Sequence, residues 1–140
     1  MFTIDTSTDF GARIERQLRD EQVVWLTTVG RSGTPQPNPV WFGWNGDELL
    51  VFSQAGKAKV HNVANQPRVS LNFNATFTGG DIGVITGDAT LDGPPATAEE
   101  LAAYDAKYAE GLASLDMSAE TFHRDYPTLI RIKPDNLRGF

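Results

Sequence analysis

The fold is decided by residues 45–59, Asn-Gly-Asp-Glu-Leu-Leu-Val-Phe-Ser-Gln-Ala-Gly-Lys-Ala-Lys. The run Asn45-Gly46-Asp47 is a strong hairpin signal, because it stands between two apolar runs and these residue types favour tight turns. The apolar run that follows predicts a returning strand over residues 48–53. Gly56 ends this strand, and a short helix is predicted over residues 57–65, before Pro67. The stretch therefore predicts an antiparallel hairpin whose second strand leads directly into a helix.

The rest of the chain repeats this pattern of short strands separated by turns. Further strands are predicted at residues 23–29, 35–44, 68–74, 82–91 and 128–133, with 137–140 as a possible extension of the sheet. Helices are predicted at residues 9–22, 98–113 and 118–125. Sequential antiparallel strands with few crossover helices favour a closed or partly closed barrel over a doubly wound sheet. We therefore predict one mainly β domain over residues 1–140, a β-barrel with peripheral helices.

Two glycines and three prolines predict local features of these strands. Gly83 and Gly87 are expected at a bulge or at a close approach. Pro35, Pro37 and Pro39 place their strand at a sheet edge or at a bulge, because each proline removes one ladder donor.

Composition excludes several classes of protein. The net charge of -6 argues against general nucleic-acid binding, which needs a basic surface. The chain has no cysteine, which excludes disulfides, zinc–thiolate sites and thiol catalysis. His61 and His123 lack metal-ligand spacing, so no metal site is predicted. No stretch reaches the roughly 18 apolar residues of a membrane span, and no signal peptide is recognised. We expect a cytoplasmic protein.

Residues 53–59 predict a place for an anion. They run from a strand end through a glycine into a helix start, where free backbone N–H groups and the positive helix end attract negative charge. Lys57 and Lys59 lie in the first helical turn, so both ammonium groups can reach a phosphate near the helix axis. The alternative is that two surface lysines are simply solvated, and the spacing alone does not decide between the two.

Residues 38–44, Asn-Pro-Val-Trp-Phe-Gly-Trp, place aromatic faces beside a strand edge. Such faces could stack on a flat ring, or Trp41 and Trp44 could instead be core or dimer-interface residues. The sequence contains no nucleophile motif, phosphate loop or dinucleotide fingerprint, and we predict no catalytic side chain. A reaction would have to be carried by a cofactor, for which hydride transfer is the natural chemistry.

Three motifs occur together: Leu-Leu-Val-Phe-Ser at 49–53, the pair Lys59 and Asn62, and Asn-Gln-Pro-Arg-Val-Ser-Leu at 65–71. With them the chain resembles the flavin-binding split-barrel superfamily that includes pyridoxamine 5′-phosphate oxidase. The resemblance implies a split barrel of six or seven strands that forms a homodimer, with two cofactor grooves at the dimer interface.

A second set of runs looks like the actinobacterial deazaflavin-dependent branch of that superfamily: residues 27–29, 33–35, 39–42 and 85–89. This branch uses coenzyme F-420, an 8-hydroxy-5-deazaflavin. The resemblance implies a reductase that transfers a hydride from the reduced cofactor to an unsaturated small molecule of the quinone or enone type. The alternatives are an FMN-dependent reductase or oxidase on the same fold and a carrier that binds the deazaflavin without turnover.

The resemblance also implies which residues bind the cofactor: Asn38, Pro39, Val40, Trp41, Phe42, Phe52, Ser53, Lys57, Ala58, Lys59 and Ile82. Lys59 matches the family's phosphate-contacting lysine, and Phe52 and Ser53 match the strand end beside the phosphate.

The other residues match further parts of the family's cofactor site. Residues 38–42 match the strand along the ring, and Ile82 lies near the position that approaches the ring from the other side. Lys57 falls where related deazaflavin proteins carry another basic residue. Ala58 stands where the flavin oxidases have an arginine, which weakens the case for FMN. A substrate groove lined by Trp41, Phe42 and Phe77 is expected to suit flat apolar molecules.

Overall fold

The computed structural model describes residues 1–140, which form seven strands and five helices. The strands are β1 (Val24–Val29), β2 (Pro35–Val40), β3 (Gly43–Trp44), β4 (Leu49–Ser53), β5 (Arg68–Asn72), β6 (Gly83–Thr90) and β7 (Thr128–Gly139). The helices are α1 (Asp9–Asp20), α2 (Ala58–Asn65), α3 (Ala98–Lys107), α4 (Ala109–Ser114) and α5 (Ala119–Asp125). No helix combines the length and the apolar character needed to cross a membrane.

All seven strands belong to one antiparallel sheet, in the order β2-β1-β5-β6-β7-β4-β3. Its two edge strands, β2 and β3, are consecutive in the chain and are joined only by Trp41 and Phe42. Three peptide steps reach at most roughly 11 Å, so the sheet must curl until its edges approach each other. The result is a half-barrel with peripheral helices, and the predicted mainly β split barrel is confirmed.

The barrel interior is filled by one apolar core of fifteen buried residues. Along β1, Val24, Leu26 and Thr28 point inward while the residues between them stay half-exposed, as the two-residue period of a strand requires. Helix α1 closes one end of the barrel with Ile14 and Leu18, both fully buried. Each such side chain contributes roughly 1.5–3 kcal/mol of apolar burial.

Helices α3, α4 and α5 add a second, smaller core outside the barrel, formed by Tyr104, Tyr108, Leu112 and Phe122. The Tyr108 hydroxyl joins this layer to the barrel. It accepts a hydrogen bond from the Phe42 N–H at 2.8 Å and donates to the Gln22 carbonyl at 2.8 Å. The short link between β2 and β3 is thereby held from outside the barrel by the junction of α3 and α4.

Three predicted element boundaries are corrected by the structure. The strand predicted at 35–44 is interrupted at Trp41-Phe42, where the sheet edge turns. The helix predicted at 98–113 breaks at Tyr108, which leaves helical geometry at φ -104 and ψ 13. The segments at 128–133 and 137–140 form one strand, β7, because its register shift beside Gly87 accommodates Pro134 within the sheet.

Other local predictions agree with the structure. β2 is an edge strand, as its three prolines indicate. The pairing of β6 and β7 is irregular between Thr86 and Gly87, and a Cβ on Gly87 would clash with the Lys133 carbonyl. A Cβ on Gly83 would collide with Ile14 of α1, so glycine permits the helix to approach. The bulge and the close approach are both confirmed.

Candidate functional site

The start of α2 exposes unpaired backbone donors. Gly56 at φ +76 ends the strand, and Lys57 is the N-cap residue, with extended backbone and no side-chain capping bond. The first helical amides, those of Ala58 and Lys59, donate to no acceptor in the chain. Free amides at the positive end of a helix favour a negatively charged partner.

The two lysines at this helix start differ in their surroundings. Lys57 is exposed, whereas Lys59 is half-buried and faces a cavity. Burial lowers the pKa of Lys59, and the nearby charge of Lys57 lowers it further. Both causes penalise the ammonium form of Lys59, and a bound anion would relieve both of them.

The cavity beside Lys59 has a volume of about 370 Å³ and is named here the Lys59 cavity. Its other walls are mainly aromatic and aliphatic: Pro39, Val40, Trp41, Phe52, Tyr104, Leu115, Met117, Phe122 and Tyr126. One side is built by the barrel edge and the other by the helices α3 to α5. A single cationic group at one end of an apolar space suits a planar molecule that carries an anionic group.

Trp41 is partly committed to packing within the chain. Its ring stacks on Tyr108 with centroids 4.3 Å apart and an interplanar angle of 7°, and on Phe122 at 5.9 Å. Gly111 allows this close approach, since a Cβ there would lie 3.1 Å from the indole. Trp41 therefore acts both as a core residue of the helical layer and as a wall of the Lys59 cavity.

Tyr104 carries the only buried side-chain polar atom without a hydrogen-bond partner, its hydroxyl oxygen. Burial is the main cause that raises the pKa of Tyr104, so the phenol keeps its proton. The residue lines the Lys59 cavity and is also shared with a larger cavity on its other side. A buried hydroxyl without a partner costs about 1–3 kcal/mol.

His123 and Asp105 form a pair behind the cavity wall, with 2.7 Å between Nε2 and Oδ1. The imidazole meets the ring of Phe52 edge-on at 5.0 Å and that of Phe122 at 5.2 Å. The pair ties α5 to α3 and supports the aromatic wall. Sequence reasoning missed it because the two residues are 18 positions apart on different helices.

The structure brings five of the predicted binding residues together around one cavity: Pro39, Val40, Trp41, Phe52 and Lys59. Lys57 and Ala58 lie next to them at the start of α2. Asn38 is exposed on β2, one position before the cavity wall.

Other predicted residues lie elsewhere. Phe42 is fully buried in the barrel, and its N–H and carbonyl are both hydrogen-bonded within the chain. Ser53 is buried and its hydroxyl donates to the Gln54 carbonyl. Phe77 is fully exposed on the loop before β6. The expected groove lined by Trp41, Phe42 and Phe77 is therefore wrong, because alternate residues of extended backbone point to opposite sides.

Ile82 is also separated from the Lys59 cavity within one chain. Its backbone pairs with that of Phe140, and its carbonyl accepts from Arg13 at 2.7 Å. Pro39 of β2 pairs with Trp25 of β1, and Trp25 pairs with Asn72 of β5. Asn72 pairs in turn with Val84 of β6, so Pro39 and Val84 are three strands apart. Three strand spacings amount to roughly 14 Å. A single chain therefore does not place Ile82 beside the other predicted residues.

The helical layer supplies cavity residues that the sequence prediction did not include: Tyr104, Leu115, Met117, Phe122 and Tyr126. The sequence does contain a pattern that indicates this layer: two pairs of aromatic residues four positions apart, Tyr104 with Tyr108 and Phe122 with Tyr126. Such pairs share one helix face, and this face covers the barrel edge.

A curled seven-stranded antiparallel sheet, with an anion-receptive helix start beside an apolar cavity, defines a split-barrel protein. The chain belongs to the family described as Pyridoxamine 5'-phosphate oxidase, whose sequence model matches residues 10–139. The resemblance to this superfamily is confirmed, and its fold binds flavin-type cofactors. No curated protein matches the sequence.

Several solved structures share the fold at low sequence identity. An F420 reductase is 22% identical over 89% of this chain and 94% of its own, with a TM-score of 0.61. A putative pyridoxamine 5'-phosphate oxidase from Listeria innocua is 22% identical over 91% and 94%, with a TM-score of 0.65. The heme storage protein HutZ from Vibrio cholerae is 16% identical over 94% and 95%, with a TM-score of 0.69. Proteins of different function thus share this architecture.

Proposed function

We propose that this chain is a cytoplasmic oxidoreductase that binds coenzyme F-420 and reduces unsaturated small molecules of the quinone or enone type. The observation that carries the proposal is the half-buried Lys59, which lies between a helix start with free amides and an apolar cavity. The likeness of several sequence runs to the deazaflavin branch and the fold shared with an F420 reductase support the same choice.

The residues present fit such a cofactor. The ammonium groups of Lys59 and Lys57 and the first amides of α2 would hold its phosphate. Pro39, Val40 and Phe52 would flank the ring and keep water away from it. When bound, the reduced deazaflavin supplies a hydride in a two-electron step. The chain contributes binding and orientation, and no side chain is assigned to the chemical step.

A homodimer is part of the proposal. The outer face of β1, β5 and β6 carries Trp25, Val29 and Val84, all half-buried, among mainly polar side chains. Pairing of two such faces would let the partner's Ile82 approach the Lys59 cavity. Light scattering of the purified protein tests this part, and a stable monomer would remove Ile82 from the site.

Cofactor binding tests the main proposal. Purified protein is titrated with F-420, FMN and heme, each followed by absorbance or fluorescence. F-420 should bind most tightly, and Lys59→Ala should weaken its binding roughly 10- to 150-fold, the value of a hydrogen bond to a charged group. The matched control is Lys133→Ala, an exposed lysine on β7 that should bind as tightly as the unmodified protein.

Each of the other binding results would favour one alternative function. Tighter binding of FMN would favour an FMN-dependent reductase or oxidase. Preference for heme would place the chain functionally with HutZ. Binding of F-420 with no oxidation of the reduced form by any of a panel of quinones and enones would favour a carrier.

A further inference from the structure

A second cavity of about 550 Å³ lies between the end of α1, the short strand β3 and helix α3. It is named here the Lys107 cavity, and Tyr104 separates it from the Lys59 cavity. Its apolar floor is formed by Gly43, Trp44, Leu50 and Tyr104. The proposed reductase activity does not use it.

Lys107 lines this cavity, and its half-buried side chain has no carboxylate partner. Its Nζ lies 3.0 Å from the Phe42 carbonyl and 3.7 Å from the centre of the Phe42 ring. No carboxylate oxygen lies within 4.0 Å of it, whereas other buried charges, such as Arg131, are paired. Burial lowers the pKa of Lys107 to about 8, although the more distant carboxylates of Asp20 and Glu21 oppose this. The ammonium keeps N–H groups free for an acceptor.

Arg19 adds a second cation to the same cavity. Its only ion-pair partner is the adjacent Asp20, at 3.3 Å, and both side chains are about 60% exposed. Exposed pairs of this kind are weak, so the guanidinium can turn toward a ligand at little cost. The α1 side of the cavity therefore offers two cationic donors.

The opposite rim is acidic and is formed by Asp47, Glu99 and Glu100. Glu100 is already neutralised, because it accepts from Arg131 and from the Asn45 amide, and these bonds help lower its pKa to about 2. Asp47 and Glu99 remain free and exposed. They would repel a ligand with several negative charges, so the cavity suits one anionic group directed at α1.

The floor determines the shape of the rest of the ligand. The indole of Trp44 is held in place because its N–H donates to Glu15 at 3.1 Å. Tyr104 and Leu50 continue this apolar surface. A rigid aromatic floor with a cationic end matches a planar apolar body that carries one carboxylate.

We propose that the Lys107 cavity is a binding site for small aromatic carboxylates, with the carboxylate accepting from Lys107 and Arg19 and the ring lying on Trp44. This site is separate from the Lys59 cavity and does not depend on the identity of the cofactor.

The experiment measures binding of 2-naphthoate by calorimetry at pH 7, with 2-naphthamide as the neutral ligand of the same shape. The carboxylate should bind saturably with one site per chain and at least tenfold more tightly than the amide. Lys107→Met keeps the aliphatic stem over Phe42 and should lose at least tenfold in affinity. Lys133→Met serves as the matched control and should bind normally.

Two further measurements keep the test decisive. Arg19→Gln alters an exposed side chain, so it carries the test if Lys107→Met does not fold, and it should lose at least threefold. Raising the pH from 7 to 9.5 should weaken binding in the unmodified protein and not in Lys107→Met. The other charged or titratable groups around Lys107 are Arg19, Asp20 and Glu21 at the end of α1, the rim carboxylates Asp47, Glu99 and Glu100, and the phenols of Tyr104 and Tyr108, whose pKa burial raises.

Three results would overturn the proposal: no saturable binding of 2-naphthoate at millimolar concentration, equal binding of the carboxylate and the amide, or loss of binding in Lys59→Ala with full binding in Lys107→Met. The last would move the ligand to the Lys59 cavity.

Discussion

Removing the hydroxyl oxygen should stabilise the protein at Tyr104 and destabilise it at Tyr108. Tyr104 and Tyr108 lie one turn apart on or beside α3, and both are at least 98% buried. The Tyr104 hydroxyl has no partner. Tyr104→Phe removes an unsatisfied buried group and should raise the free energy of unfolding by about 1–3 kcal/mol. At roughly 3 °C per kcal/mol for a chain of this size, Tm should rise by roughly 3–9 °C.

Tyr108→Phe is the matched control, because its hydroxyl is fully used. The change leaves the Phe42 N–H and the Gln22 carbonyl without that partner and should cost about 1–3 kcal/mol. Urea unfolding of both variants, with unchanged m-values, should place them about 2–6 kcal/mol apart on either side of the unmodified protein. If both variants are destabilised to a similar degree, the Tyr104 hydroxyl is satisfied in solution and the reasoning about its isolation fails.

Two further predictions concern backbone contact and pH. Gly87→Ala should destabilise the protein by about 1–3 kcal/mol, because the new Cβ would clash with the Lys133 carbonyl. Gly30→Ala is the control and should cost less, because its nearest contact is the flexible side-chain amide of Gln36. Thermal unfolding compares the two variants, and equal losses of stability would contradict the clash at Gly87. The pKa of Glu100 is depressed to about 2 beside Arg131, so its stabilising contribution is full above about pH 5 and is lost as the pH falls toward 2. Urea unfolding between pH 6 and 3 should show this loss of stability, at most about 3 kcal/mol. In Glu100→Gln, the free energy of unfolding should depend less on pH over this range. An equal pH dependence in the variant would show that Glu100 is not the group responsible.

Much of the fold could be predicted because its signals are local. The Asn-Gly turn, the alternation along residues 68–72 and the glycine before α2 each depend on neighbouring residues and the conformations they allow. The same is true of the anion-receptive helix start, since Gly56 and the lysines lie within four positions of one another. These features appear in the structure close to where the sequence placed them.

The predicted features that failed depend on contacts between distant segments. Phe42 lies beside Trp41 in a strongly aromatic run, and nothing local distinguishes which of the two points outward. The Tyr108 hydroxyl, 66 positions away, holds the Phe42 backbone at this point. The helix prediction over 98–113 likewise missed the break at Tyr108, because helix propensity does not report a tertiary hydrogen bond.

The helical segment after β6 explains why one small barrel has two cavities. Without α3 to α5, the β2–β3 link and Phe52 would line an open barrel edge, since their neighbours on that side all come from these helices. Tyr104 stands where the segment meets the barrel and lines both cavities. Tyr104 is the one residue that the two linings share.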